Sequence, residues 1–470
     1  MFCKLVLDLF QNFLTGKNRV NKKLRNFIFV LTGLVMVGLC AVLGEGGISQ
    51  VNKNEVLSAD AASVTEETVV GDLSTEVPET DTYGDPLETP SDDAEDASVT
   101  DAEEPEETTE DEKIPEADKA VLDIIDGMTL EEKVAQLFII TPDALTDNIA
   151  VTMAGDATKQ AIDETPVGGV IYMGDNLQTP TQVKEMLANT NTYSEERVGL
   201  PMFLCVDEEG GTVSRVAGCG RFSVENVGNM SEIGANGTVE DAQKVGVTIG
   251  TYLSEFGFNI DFAPVADVLT NPENSIVKYR SFGSDVDTVS RMSIAVAEGL
   301  ESKGITATYK HFPGHGATAG DTHLGAAFTT KTIEELKEEE LVPFQNAIDD
   351  GAKLIMVSHI SAPNITGHDT PASLSEEMVS ELLREDMGFD GIVVTDAMEM
   401  GAISSKYKSD VAAVMAIQAG VDMILMPEDF DLAYSGVLKA AKSGEISEER
   451  INESLVRIIK VKLEMSETSN

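Results

Sequence analysis

From about residue 114 the chain alternates short apolar runs with longer segments whose apolar residues recur every three to four positions. The runs are Gln136–Ile140, Gly168–Met173, Met202–Asp207, Phe258–Pro264, Ile305–Lys310, Leu354–His359, Gly391–Asp396 and Met423–Pro427. Runs this short and this apolar predict strands covered on both faces, as in a parallel sheet. The periodic segments predict helices, clearest over Val286–Lys303, Thr332–Asp350, Ser375–Glu385, Ser409–Ala419 and Asp431–Lys442. A last helix is predicted from Ser447 to about Glu464. Thr129, with Glu132 three positions on, reads as a capping box. The repeated strand–helix unit predicts an α/β fold, a single (β/α)8 barrel of the TIM type. A doubly wound open sheet is the alternative. No Gly-x-Gly-x-x-Gly follows the first strand, so a dinucleotide fold has weak support.

The pattern does not extend to the first part of the chain. Residues 1–44 combine a basic start (Lys4, Lys17, Arg19, Lys22, Lys23, Arg25) with an uncharged apolar run from Phe27 to Gly44. This reads as a signal peptide or a membrane anchor with its basic end in the cytoplasm. Residues 45–115 are acidic and rich in Thr, Ser and Pro; up to Glu112 the only basic residue is Lys53. Such a stretch cannot bury enough apolar surface to offset its ordering entropy, and a disordered linker is expected. Residues 116–466 then form the barrel domain. The expected location is extracellular, secreted or anchored to the outer face of the cytoplasmic membrane, with the membrane met only through the N-terminal segment. The net charge of −49 argues against nucleic acid as a partner. Of four cysteines, Cys205 and Cys219 fall in the folded part and read as free thiols. A monomer is expected.

Five histidines occur, and three of them lie within Lys310-His311-Phe312-Pro313-Gly314-His315-Gly316 and the following Asp321-Thr322-His323. The Pro and Gly residues predict a shaped loop released by the fifth strand. Asp207, Lys310, His311, His359 and Asp396 all fall at the carboxyl ends of predicted strands, the face on which barrels build active sites. A strand-end Asp often caps the next helix. Capping does not account for the same placement in five polar residues.

With these residues in view, the chain resembles glycoside hydrolase family 3, in its β-N-acetylglucosaminidase (β-hexosaminidase) branch, over about Leu122 to Leu463. Lys310–Gly316 with Asp321-Thr322-His323 is similar to the hallmark of that branch. Val206-Asp207-Glu208-Glu209-Gly210-Gly211 with Arg215 resembles its substrate-binding turn. Asp261–Val268, Arg280–Gly283 and Val393–Met398 match further blocks. The resemblance implies that Asp396 is the nucleophile and His323 the acid/base, with Asp321 as its partner. It implies that Asp207, Arg215, Arg280, Lys310 and His311 hold the sugar. Glu208 stands where Gln is common, and Lys278-Tyr279 precede Arg280 where smaller or acidic residues often occur.

The implied activity is retaining, exo-acting removal of terminal β-GlcNAc from cell-wall or related glycans, as in peptidoglycan turnover. It uses a carboxylate to trap the anomeric carbon and a proton donor for the leaving oxygen, with no cofactor and no metal. A β-glucosidase or a glycoside phosphorylase of the same family is the alternative. A metal hydrolase built on His311, His315, Asp321 and His323 lacks the chelating spacing such sites use. A Schiff-base aldolase on Lys310 leaves the histidine loop without a task. A non-catalytic glycan-binding module has no need of both Asp396 and His323.

Overall fold

The computed structural model describes residues 116–318, 325 and 327–468. The segments expected at 1–44 and 45–115, and Asp321 and His323, lie outside the described residues. Thr129 caps the helix Leu130–Ala135 as predicted: its Oγ1 accepts the Glu132 N–H, and Glu132 Oε2 accepts the Thr129 N–H at 2.8 Å.

Eight strands form the central sheet: β1 (Phe138–Ile140), β2 (Gly169–Ile171), β3 (Phe203–Val206), β4 (Ile260–Asp261), β5 (Thr306–Phe312), β6 (Leu354–Val357), β7 (Ile392–Thr395) and β8 (Ile424–Leu425). Their order is β7-β6-β5-β4-β3-β2-β1-β8, and every neighbouring pair is parallel. One parallel bridge, Val394 to Met423, joins the two outer strands. The result is a nearly closed parallel barrel. Residues of all the strands are buried, which is why the runs carry almost no polar side chains before their carboxyl ends.

The helices that cover the sheet include α1 (Pro180–Val198), α2 (Val239–Phe256), α3 (Val286–Glu301), α4 (Val342–Asp349), α5 (Ser409–Gln418), α6 (Phe430–Ser443) and α7 (Glu448–Thr468). Packing of α2 on α3 depends on glycine: a Cβ on Gly246 would lie 2.1 Å from the Val296 carbonyl oxygen. On β5, Phe312 meets Phe344 of α4 edge to face at 5.5 Å, a contact that fixes the end of the strand. Cys205 and Cys219 are free thiols. Among the described residues no helix is long and apolar enough to cross a membrane.

Three predicted elements differ. The fifth strand reaches Lys310 and His311 as expected but also takes in Phe312, expected in the loop, because pairing with β6 continues through Phe312–Val357. The helix predicted over 332–350 is two helices, Ile333–Glu338 and α4. Pro343 opens the second, where its missing N–H costs nothing, and Glu340 turns inward to meet Lys331 and Thr270. The helix at Glu377–Asp386 is wound with wide, π-type turns.

Candidate active site

The polar strand ends converge as the barrel topology requires. Lys310 leaves β5 and is 2% exposed. Its Nζ donates to Asp207 Oδ1, just past β3, at 2.8 Å, and reaches Glu209 Oε1 at 2.7 Å. Asp207 and Glu209 are two positions apart on an extended segment, so both face the same side. Glu209 also receives Arg280 through two parallel bonds, Nε to Oε2 and Nη2 to Oε1, each 2.7 Å. Arg280 comes from the loop after β4, in a turn closed by its N–H to the Val277 carbonyl.

Arg280 Nη2 lies 3.1 Å from His311 Nε2. Arginine has only donors, so Nε2 is the acceptor and the imidazole proton sits on Nδ1. That proton points at Asp267 Oδ2, 2.7 Å away. Asp267 Oδ1 in turn accepts the backbone N–H groups of His311, at 3.2 Å, and of His315, at 2.6 Å. The chain of contacts therefore runs Asp207, Lys310, Glu209, Arg280, His311, Asp267, almost wholly buried. Arg215 joins less tightly: Nη2 is 3.8 Å from Asp207 Oδ2.

Asp396 sits just beyond β7. Its N–H donates to the Val357 carbonyl, and its Oδ1 accepts the Ala397 N–H, both at 2.8 Å. His359 Nε2 donates to the Ala397 carbonyl at 3.0 Å, while its Nδ1 faces the Ser373 hydroxyl at 2.8 Å. The turn that carries the carboxylate is thus braced from the neighbouring strand.

Charge follows from this wiring. Burial alone would raise the pKa of Asp396. The imidazoles of His311 and His359, the Ala397 N–H and the Lys310 ammonium outweigh it and hold the carboxyl below its ordinary value. Burial likewise opposes ionisation of Glu209, but Arg280 and Lys310 win by a wide margin. For Asp267, His311 and His315 overcome burial. Lys310 is pushed down by burial and up more strongly by Asp207 and Glu209, so it stays an ammonium. His315 is driven the other way, with burial lowering its pKa. The site is therefore a set of fixed ions with one carboxylate, Asp396, that spends its charge on no cation at hydrogen-bonding distance among the described residues. Such a carboxylate suits attack on an electrophilic carbon, and the cation network suits holding hydroxyl and carbonyl oxygens.

Of the sequence-predicted residues, Asp207, Arg280, Lys310 and His311 are brought into one connected cluster. Arg215 lies at its edge, and Asp396 faces it through charge. Asp321 and His323 fall outside the described residues. Two residues of the cluster went unassigned by sequence reasoning. Glu209 carried a signal, the two-residue spacing from Asp207. Asp267 lies six positions after Asp261 on an irregular loop, and no periodicity marks it. A cavity of about 340 Å³ lined by Lys353, Asp390, Ile392 and Arg457 lies at the amino ends of β6 and β7, away from Asp396.

Residues 129–461 match the family model described as the Glycosyl hydrolase family 3 N terminal domain. Over 344 residues the chain is 30% identical to beta-hexosaminidase A of Pseudoalteromonas piscicida, a match covering 68% of this chain and 57% of that protein. Over 342 residues it is 32% identical to beta-hexosaminidase LpqI of Mycobacterium tuberculosis, covering 70% of this chain and 82% of the relative. Among solved structures it is similar to a glycoside hydrolase family 3 beta-N-acetylglucosaminidase from Paenibacillus, with a TM-score of 0.68 and 36% identity. That match covers 73% of this chain and 64% of the solved one.

Proposed function

The chain belongs to glycosyl hydrolase family 3, and from that premise we propose that it is a retaining, exo-acting β-N-acetylhexosaminidase. The observation that carries this reading is the buried network from Asp207 to Asp267 facing Asp396 at the carboxyl ends of the strands. Lys310, Arg280 and Arg215 offer donors, and Asp207 offers an acceptor, for the hydroxyls and acetamido group of one terminal sugar. In the first step an Asp396 oxygen bonds to the anomeric carbon as the glycosidic bond breaks. The leaving oxygen takes a proton from His323, oriented by Asp321. In the second step water gives a proton back to His323 and its oxygen displaces Asp396 from the same carbon. Both displacements invert, so the product keeps the β configuration.

The substrate class we assign is terminal β-GlcNAc on cell-wall glycans. What supports it is the hexosaminidase relatives together with an N-terminal sequence of exported type. On the same grounds the enzyme acts outside the cytoplasmic membrane.

Two measurements test the reading. The full chain should release GlcNAc from aryl β-GlcNAc faster than glucose from aryl β-glucoside, with little sugar 1-phosphate when phosphate is added. A fluorinated glycoside that accumulates the covalent intermediate should label Asp396, and Asp396→Ala should lose several orders of magnitude in kcat while keeping its melting midpoint. Label on Asp207 or Asp267 overturns the assignment of the nucleophile.

A further inference from the structure

Between Asp207 and Glu209, both turned toward the site, lies a third carboxyl that points elsewhere. Glu208 is fully buried. It opens a short hairpin, Glu208–Gly210 against Val213–Ser214, that leads directly into Arg215. Its side chain folds back over the far end of that hairpin. Oε2 accepts the Val216 N–H at 2.7 Å; Oε1 accepts the Ala217 N–H and the Tyr252 hydroxyl, each at 2.9 Å. Both residues that follow Arg215 are thereby tied to the end of β3. Beyond the hairpin's own pairing, the Arg215 N–H meets the Asp207 carbonyl at a longer 3.3 Å, and the Arg215 side chain stands 3.8 Å from Asp207. Both carboxylate oxygens are committed as acceptors of N–H groups. An amide has only one oxygen, so a glutamine here would press its NH2 against a backbone N–H.

We propose that Glu208 is a positioning residue whose ionised carboxylate holds the Arg215 turn in the shape that captures the sugar, and whose protonation releases that turn. The clause about the sugar rests on the hexosaminidase reading; the anchoring of the turn does not.

The surroundings give the sign of the pH response. The groups facing Glu208 are Tyr252 from α2 and Asp261 from β4, whose Oδ1 accepts the Glu208 N–H at 2.9 Å. Asp207 past β3, Lys310 of β5 and Glu225 of the following loop complete the charged neighbourhood. Burial raises the pKa of Glu208, and the Val216 and Ala217 N–H groups and the Tyr252 hydroxyl offset it only in part. Glu209, Asp267 and Asp396 are all held below their ordinary values. Of these four, Glu208 is the first to take up a proton as pH falls. Substrate capture should then weaken at a pH where the nucleophile is still ionised, so KM rises before kcat falls.

The test uses the full chain as wild type, Glu208→Gln and Tyr252→Phe. Hydrogen–deuterium exchange is followed at the amides of Val216 and Ala217, and kcat and KM on aryl β-GlcNAc are measured from about pH 4 to pH 7. In Glu208→Gln, exchange at these amides should rise about tenfold and KM about tenfold, with kcat within about threefold. The acid rise of KM seen in wild type should vanish in that variant. Tyr252→Phe, which removes one donor and leaves the two backbone bonds, should raise exchange by a smaller factor and serves if the glutamine variant does not fold. Unchanged exchange in both variants, or a loss confined to kcat, overturns the proposal. A wild type that leaves aryl β-GlcNAc intact refutes the functional reading instead, and the exchange arm still decides the anchor.

Discussion

Lys310 meets two carboxylates, and one of them, Glu209, also holds the Nε–Nη2 edge of Arg280. A single buried anion therefore sets the position of two cations that face the substrate. Breaking such a pair leaves unpaired charge in a dry site, at about 3–5 kcal/mol. Glu209→Gln should accordingly lower stability to urea by that order. It should also reduce kcat/KM about a hundredfold, since a shift of about 1 Å in a positioning group is enough for that loss. The pH dependence follows from linkage. The folded-state pKa of Glu209 is depressed, so its contribution is present above the unfolded carboxylate value and is lost as pH falls through the folded one. The stability gap between wild type and variant should be constant near neutrality and narrow in acid. At this scale the sequence was informative where a polar side chain ended an apolar run, as at Asp207, Lys310, His311 and Asp396. Asp267 was silent because its role comes from where an irregular loop returns, which no local pattern encodes.

Strands were the most legible elements because each had to be apolar on both faces, and a run of four such residues has few other uses. Their ends were less so. β4 keeps only Ile260 and Asp261 of the predicted seven-residue run as regular strand; Pro264 supplies no N–H, and pairing with β5 returns as a single bridge, Val265 to Lys310, before the loop that carries Asp267. β5 runs longer than its Pro-Gly neighbours imply, because pairing with β6 continues through Phe312. The short segment after β5 is held by close backbone contact instead. The Gly316 carbonyl accepts the Asn271 N–H at 3.0 Å, and a Cβ on Gly316 would lie 1.8 Å from the Val268 carbonyl oxygen. Gly316→Ala must therefore push this segment off the β4 loop. Because His315 N–H is one of the bonds that fix Asp267, the displacement should reach His311. The expected result is a lower melting midpoint, and a fall in kcat/KM that exceeds what a simple loss of folded protein gives once activity is normalised to the folded fraction.

On the scale of the whole barrel, the carboxyl face carries the ions of the site, and the amino face is closed by α7. That helix brings Arg450, Ser454 and Arg457 onto the buried Asp422 before β8, which Arg384 also meets. It also sends Lys462 inward. Lys462 is fully buried; its Nζ donates to Gln136 Oε1 at 2.9 Å and lies 4.9 Å from the centre of the Phe203 ring. No carboxylate pairs with it among the described residues, and burial pulls its pKa down to about 7. In the unfolded chain a lysine titrates near about 10.4. Between these values the unfolded state binds more protons than the folded state, so stability should rise as pH increases from about 7 toward 10. Lys462→Met keeps the length of the side chain and removes the titration. It leaves Gln136 Oε1 without its donor, at about 1–3 kcal/mol, so the variant need not be more stable at every pH. The slope is the decisive quantity. Urea unfolding between about pH 7 and pH 10 should give rising stability in wild type and a flatter profile in Lys462→Met. Parallel profiles would mean that Lys462 is paired or hydrated in the folded barrel, and that the amino end is not the dry plug that its burial describes.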